Sequence, residues 1–286
     1  MDGSADDIVD IWVNLIDEAG VAAFLGQEAN ASIPDYLGGH TAGVGETELI
    51  ERMDTLGVAT SILTPGITAG RRDQPYGSGV DDAQAVADRH PGRFLVAAMV
   101  VDTGRPTRNA VTIRRLAEHR RLAMIRIAPL FTQVPINAAL HYPIYAVCEE
   151  LGIPVGINIG VPGPKVRSSV QHPELLEDVL IDFPKLVVIG AHMGHPYEEL
   201  LMNLMRKWDT LYISTTAYAP KYLDPALLRF MATSTYRGRV LWGSDDPWFP
   251  MARSLAEAQS LDLDHEALAL FLGGTARRLL DRTGTP

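Results

Sequence analysis

Five polar side chains stand where apolar runs of this chain break off, and their types are those that move protons and hold anions. The clearest case is V-V-I-G-A-H-M-G-H at 187–195, where an apolar run rises to His192 and breaks at Gly194 and Pro196. A short apolar run bounded by turn residues reads as a buried parallel strand. Alternation along it puts Val188, Gly190 and His192 on one face. His195 follows in the turn, either as a second proton carrier or as a hydrogen-bonding loop residue. Similar runs end on Asn14 (I-V-D-I-W-V-N), Asn158 (G-I-N) and Asp245 (V-L-W-G-S-D), and Arg126 lies inside A-M-I-R-I. Imidazole and carboxylate together offer general acid–base chemistry. A guanidinium grips a carboxylate through two parallel hydrogen bonds, and the two asparagines can bond substrate oxygens. Gly156, Gly190 and Gly243 each lie two residues before a polar tip, which leaves room beneath it. One histidine closing a strand reads as a core residue. The shared position on several strands is what points to a site.

The elements that must position these residues follow from hydrophobic periodicity. Strands are expected at 8–14, 58–63, 94–100, 123–127, 153–159, 187–192, 211–215 and 239–245. Helices are expected between them, at 46–56, 78–90, 106–120, 143–151, 173–183, 196–208 and 225–233, with two more at 251–259 and 266–281. Strict alternation implies parallel strands joined by crossover helices. Eight such units in 286 residues fit a single-domain (β/α)8 TIM-type barrel over 1–286 better than two doubly wound domains. In such a barrel every strand end named above faces the same side. The long, glycine-rich segment 15–45 after strand one, with His40 in it, is expected to cover the barrel mouth.

Composition narrows the partners. Apolar residues make up 47%, enough for a large core, and a formal charge of -10 argues against nucleic acid or an anionic membrane surface. A small-molecule substrate is the expected partner. The single cysteine, Cys148, excludes an intramolecular disulfide and fits a reducing cytoplasm. Among Ile144, Val147 and Leu151 it reads as a buried, inert thiol. Residues 1–7 are acidic and lack the basic and apolar regions of a leader, so no signal peptide is expected, and no apolar run is long enough to span a bilayer.

Several segments together resemble the amidohydrolase-related proteins, in the branch that includes aminocarboxymuconate-semialdehyde decarboxylase and related aromatic-acid decarboxylases and lactonases. They are D-I-W-V-N on strand one, H-P-G-R-F at 90–94, P-I-Y-A-V-C-E-E-L-G-I-P-V before strand five, F-P-K-L-V-V-I-G-A-H-M-G-H-P around His192, and G-S-D-D-P at 243–247. The resemblance implies a homodimer and a divalent metal, often zinc. Its ligands would be an H-x-H pair on strand one, a histidine after strand five, sometimes one after strand six, and the aspartate of strand eight. Here Trp12 and Asn14 hold the H-x-H positions and Asn158 the strand-five position, while His192 and Asp245 match. An indole N–H only donates, and an amide oxygen is a poor zinc ligand beside imidazole. The expectation is that no zinc is tightly bound, with His192 and Asp245 as ligands if any metal binds. Trp12 then fills the space of a histidine and metal, or stacks on an aromatic substrate.

Three readings follow. In the first, the chain is a metal-independent hydrolase of a small activated ester or lactone bearing a carboxylate. Asp245 acts as base, His192 or His195 passes protons, and Arg126, Asn14 and Asn158 bind substrate. In the second it is a carboxy-lyase, with Arg126 on the substrate carboxylate and a histidine protonating carbon. In the third it is a barrel that binds a ligand without catalysis, since a fold does not dictate a function.

Overall fold

The computed structural model describes residues 8–37, 39, 42–65, 79–101 and 105–282; of Tyr36 and Arg282 only the backbone is described. Residues 1–7, His40 and Ser78, for which expectations were stated, lie outside the described residues.

Eight largely apolar runs form the strands β1 (Ile8–Val13), β2 (Val58–Leu63), β3 (Phe94–Met99), β4 (Leu122–Ile127), β5 (Val155–Asn158), β6 (Val188–Ala191), β7 (Leu211–Ser214) and β8 (Val240–Leu241). They pair in sequence order and every pairing is parallel. The sheet closes because Asn14 N–H donates to Asp246 O at 2.7 Å and Asp245 N–H to Trp12 O at 2.9 Å. The expected (β/α)8 barrel is the fold.

The helices are α1 (Glu18–Leu25), α2 (Ile33–Leu37), α3 (Glu46–Leu56), α4 (Val80–Arg89), α5 (Pro106–Ala117), α6 (Pro129–Thr132), α7 (Tyr142–Leu151), α8 (Leu175–Asp182), α9 (Glu198–Lys207), α10 (Pro225–Ala232), α11 (Met251–Gln259), α12 (His265–Ala269) and α13 (Thr275–Arg282). Their ends are written in the sequence. Asp17, Asp224 and Asp264 cap α1, α10 and α12 through backbone N–H groups. Gly57 and Gly152 end α3 and α7 in the left-handed conformation, at φ 71° and 69°. Among the described residues, no helix is long and apolar enough to cross a membrane.

Apolar side chains form two layers. Ile11, Met124, Ile189 and Leu241 fill the barrel interior. Val58, Ile125, Val155 and Ile213 face outward and pack against helix residues such as Leu49, Ile113 and Met205. Each fully buried side chain of this kind contributes about 1.5–3 kcal/mol.

Three expectations change. Strand eight is only two residues long; beyond it Trp242 N–H turns to the Phe271 carbonyl, and two further N–H groups bond to side chains, Ser244 N–H to Asp10 Oδ1 and Asp246 N–H to Ser244 Oγ, both at 2.9 Å. Strand six ends at Ala191, and His192 and Met193 take left-handed φ values of 69° and 61°. Alternation therefore does not place His192. A side chain at Gly190 would meet Ile159 and Ile213, which belong to the outer layer. The helix expected at 266–281 is interrupted by a π-turn at Leu270–Gly274, from which the Phe271 carbonyl accepts the Trp242 N–H at 2.9 Å.

One ion pair ties the helical layer to the tip of β8. The Asp246 carboxylate is fully buried, accepts the first N–H of α11 from Met251 at 2.9 Å, and pairs with Arg52 of α3. Removing one partner of a buried pair leaves an uncompensated charge. Arg52→Ala should cost about 3 kcal/mol of unfolding free energy in urea denaturation. Glu48→Ala, which breaks only the exposed Arg52–Glu48 pair, should cost under about 1 kcal/mol.

Candidate active site

The carboxyl ends of the strands surround a cavity of about 220 Å³. Its wall contains Trp12, Asn14, Arg126, Asn158, His192, His195 and Asp245, so the residues picked from sequence converge. The described part of segment 15–45 reaches this mouth, since Phe24 of α1 and Leu37 of α2 also line it.

Arg126 points inward from β4 and is only 5% exposed. Its guanidinium carbon lies 3.9 Å from the ring centroid of Trp12, a cation–π contact, and its Nε has no hydrogen-bond partner. Burial lowers its pKa to about 9, with Asp245 acting in the opposite direction. It therefore stays a cation at neutral pH. Gly156 makes this possible: a Cβ there would sit 3.1 Å from Met124 Sδ and 3.7 Å from the Trp12 ring.

His192 presents its ring edge-on to Trp12, with centroids 4.9 Å apart. Its backbone N–H donates to Thr216 Oγ1 at 3.0 Å, and its Nδ1 lies 3.0 Å from the same hydroxyl and 3.3 Å from the Thr216 carbonyl. Burial first, and Arg126 second, pull its pKa down to about 3. The ring is neutral at physiological pH, so it serves as a polar contact and not as a protonated acid.

Asp245 holds φ at 68° and is 8% exposed. Its Oδ1 accepts from Asn14 Nδ2 at 2.8 Å, and Asn14 Oδ1 accepts from Thr64 Oγ1 at 2.9 Å, which fixes the amide's orientation. Burial pushes Asp245 up to about 7, against the Asn14 hydrogen bond and the Arg126 charge. Both of its protonation states are populated near neutrality, as a proton carrier requires. Asn158 is buried with Oδ1 unpartnered. His195 sits at the rim, with its side chain 56% exposed and its Nδ1 2.6 Å from Glu198 Oε1.

Thr64, Thr216 and Asp10 were missed by sequence reasoning. Thr64 and Thr216 follow β2 and β7, so the rule that found Asn14 and Asp245 would have reached them had it been applied to every strand. Asp10 is fully buried, and its Oδ1 accepts from Trp12 N–H at 3.1 Å and Ser244 N–H at 2.9 Å across the closing seam. Burial pushes it up to about 7, and its Oδ2 has no partner.

The donor set does not fit a divalent metal. Asn14 turns its N–H toward Asp245 and its oxygen toward Thr64, Trp12 offers no lone pair in the ring plane, and the Arg126 cation lies against Trp12. Among the described residues, no three His, Cys, Asp or Glu side chains converge.

Solved structures share this fold. An uncharacterised TIM-barrel protein from Bordetella bronchiseptica superposes with a TM-score of 0.80 at 21% identity, covering 97% of this chain and 99% of that one. 5-Carboxyvanillate decarboxylase from Sphingomonas paucimobilis gives 0.71 at 16%, covering 96% and 99%. A dihydroxybenzoic acid decarboxylase from Polaromonas, solved with manganese and 2-nitroresorcinol, gives 0.73 at 13%, covering 96% and 97%. No curated protein matches the chain.

Two outcomes are expected from this geometry. A carboxyl whose pKa is raised on folding binds its proton more tightly in the native state, so its share of stability is lost as pH rises from about 4 to about 7. Asp10→Asn lacks that loss, so its melting temperature relative to wild type should climb between pH 5 and pH 8. After dialysis against zinc or manganese, elemental analysis should find well below one ion per chain, and a full equivalent would overturn the reading of the donor set.

A model of the family described as amidohydrolase matches residues 9–282, nearly the whole barrel, and the chain belongs to that family.

Proposed function

We propose that the chain is a carboxy-lyase that acts on a conjugated carboxylic acid with its own side chains in place of a metal. The observation that carries this reading is a buried guanidinium with an unpartnered Nε, stacked on Trp12 beside a carboxyl group whose pKa burial raises to about 7. The decarboxylases among the solved structures of this fold support the same choice.

In this reading the fork of Arg126 spans a carboxylate oxygen of the substrate and a neighbouring hydroxyl or oxo oxygen conjugated with it. With a hydroxyaromatic acid, protonated Asp245 delivers its proton to the ring carbon that bears the carboxylate, the bond to the carboxyl carbon breaks, carbon dioxide leaves, and the bonding pair restores the ring. With a β-oxo acid, carbon dioxide leaves first, the bonding pair forms the enolate, and Asp245 then protonates its carbon. Arg126 stabilises the negative charge on the conjugated oxygen during this step, and Asp245 regains its proton from solvent. Asn14 keeps Asp245 aimed, and His192 and Asn158 contact the substrate's polar edge. A small-molecule partner, a homodimer and a cytoplasmic setting complete the proposal.

The hydrolase reading uses the same Asp245 in its ionised form, as a base toward water. The two readings differ in the sign of a pH profile. With hydroxyaromatic and β-oxo acids as substrates, carbon dioxide release should have a kcat that falls as pH rises through about 7, because the protonated carboxyl is the reactant. Hydrolysis of a lactone panel would instead rise through the same pH. Asp245→Asn should lower kcat by about 10²–10⁴-fold. Turnover of lactones but of no acid would reject the carboxy-lyase, and ligand binding with no turnover of either would leave a binding barrel.

A further inference from the structure

The cavity changes character a short way above Arg126. Beside His195 at the rim, much of its outer wall is apolar and comes from separate connections: Phe24 from α1, Leu37 from α2, Phe131 from α6, Val161 from the segment after β5 and Trp248 from the segment after β8. Phe24 is the hub of this wall, with its ring centroid 4.9 Å from that of Trp248 and 6.3 Å from that of Phe131. Lys165 N–H donates to Ala29 O at 2.9 Å, which joins the segment above β5 to the one above β1. Val161 lines this cavity while 55% exposed, so an apolar surface faces solvent where a bound molecule would cover it.

Charge is confined to the inner end. Among the described residues, Arg126 is the one Lys or Arg in the wall. A second carboxylate directed along Phe24, Phe131 and Trp248 would lose hydration without a second Lys or Arg in the wall to pair with. Size points the same way. A cavity of roughly 150 Å³ holds one benzene ring, and this one has about 220 Å³.

We propose that the site takes a monocarboxylic acid with an extended apolar body, its carboxylate at Arg126 and an alkyl or second-ring substituent lying along Phe24, Phe131 and Trp248. The inference rests on the reading of Arg126 as the carboxylate anchor and adds the class of substrate to it. A small doubly charged acid is the wrong shape and charge for this cavity.

The test is a ladder of ligands measured by isothermal titration calorimetry on the full chain: benzoate, 4-ethylbenzoate, 4-butylbenzoate and 4-hexylbenzoate, with terephthalate as the doubly charged comparison. Each buried methylene should tighten Kd about fourfold until the chain emerges from the mouth, and terephthalate should bind more weakly than benzoate. Val161→Glu, a change at an exposed position, should weaken 4-hexylbenzoate more than benzoate. Arg126→Met should weaken every rung by a similar factor. A flat ladder that still depends on Arg126 would overturn the apolar body and leave the anchor. A climbing ladder indifferent to Arg126→Met would overturn the anchor and leave the apolar wall. No binding by any rung would overturn both.

Discussion

A guanidinium held out of water sets the character of this barrel. Arg126 has lost most of its hydration, and the Trp12 face at 3.9 Å and the charge on Asp245 are what it has in exchange. Neither contact saturates a group with five N–H donors. The cation therefore attracts an anion, adds to the burial that keeps His192 neutral and works against the upward push of burial on Asp245. It also puts fixed positive charge at the carboxyl ends of the strands. The tryptophan and the arginine act as one unit, because the indole supplies both the floor that the guanidinium stacks on and the wall that His192 meets edge-on.

That unit straddles the barrel seam. Trp12 and Asn14 belong to the end of β1, and Asp245 lies just beyond β8. Closure at this seam depends on a few side chains as much as on backbone ladder. Asp10 takes N–H groups from both strands, Asn14 bonds to Asp245, and Asp246 is pinned by Arg52 and by the first turn of α11. Asp245 is held at positive φ by the same contacts, a conformation that costs a non-glycine residue about 1–2 kcal/mol. The fold sustains this strain because the seam over-determines it.

Membership of the amidohydrolase family supplies the frame without supplying the chemistry. The properties of His192 and Asp245 are set by their neighbours in this barrel. The histidine is too acidic to carry a proton at neutral pH. The aspartate sits where it can give or take one. Whether it acts as acid or base is a question of substrate.

The sequence by itself determined the barrel. Eight apolar runs separated by amphipathic helices admit one closed parallel arrangement, and glycine or aspartate marks many of the helix ends because local backbone geometry demands it. It also located Arg126, Asn14, Asn158 and Asp245, since strand order alone puts strand ends at one mouth. His192 was found by its position after an apolar run, although the alternation used to orient it does not hold: the chain turns left-handed there, and no periodic rule carries that. Thr64 and Thr216 were legible in principle as residues after β2 and β7. Tertiary structure alone decided that Arg126 lies on Trp12, that Asn14 turns its N–H to Asp245, that Asp10 bridges β1 and β8, and that His192 is neutral. Each of these depends on through-space distance and lost hydration between residues far apart in the chain, and a linear pattern encodes neither.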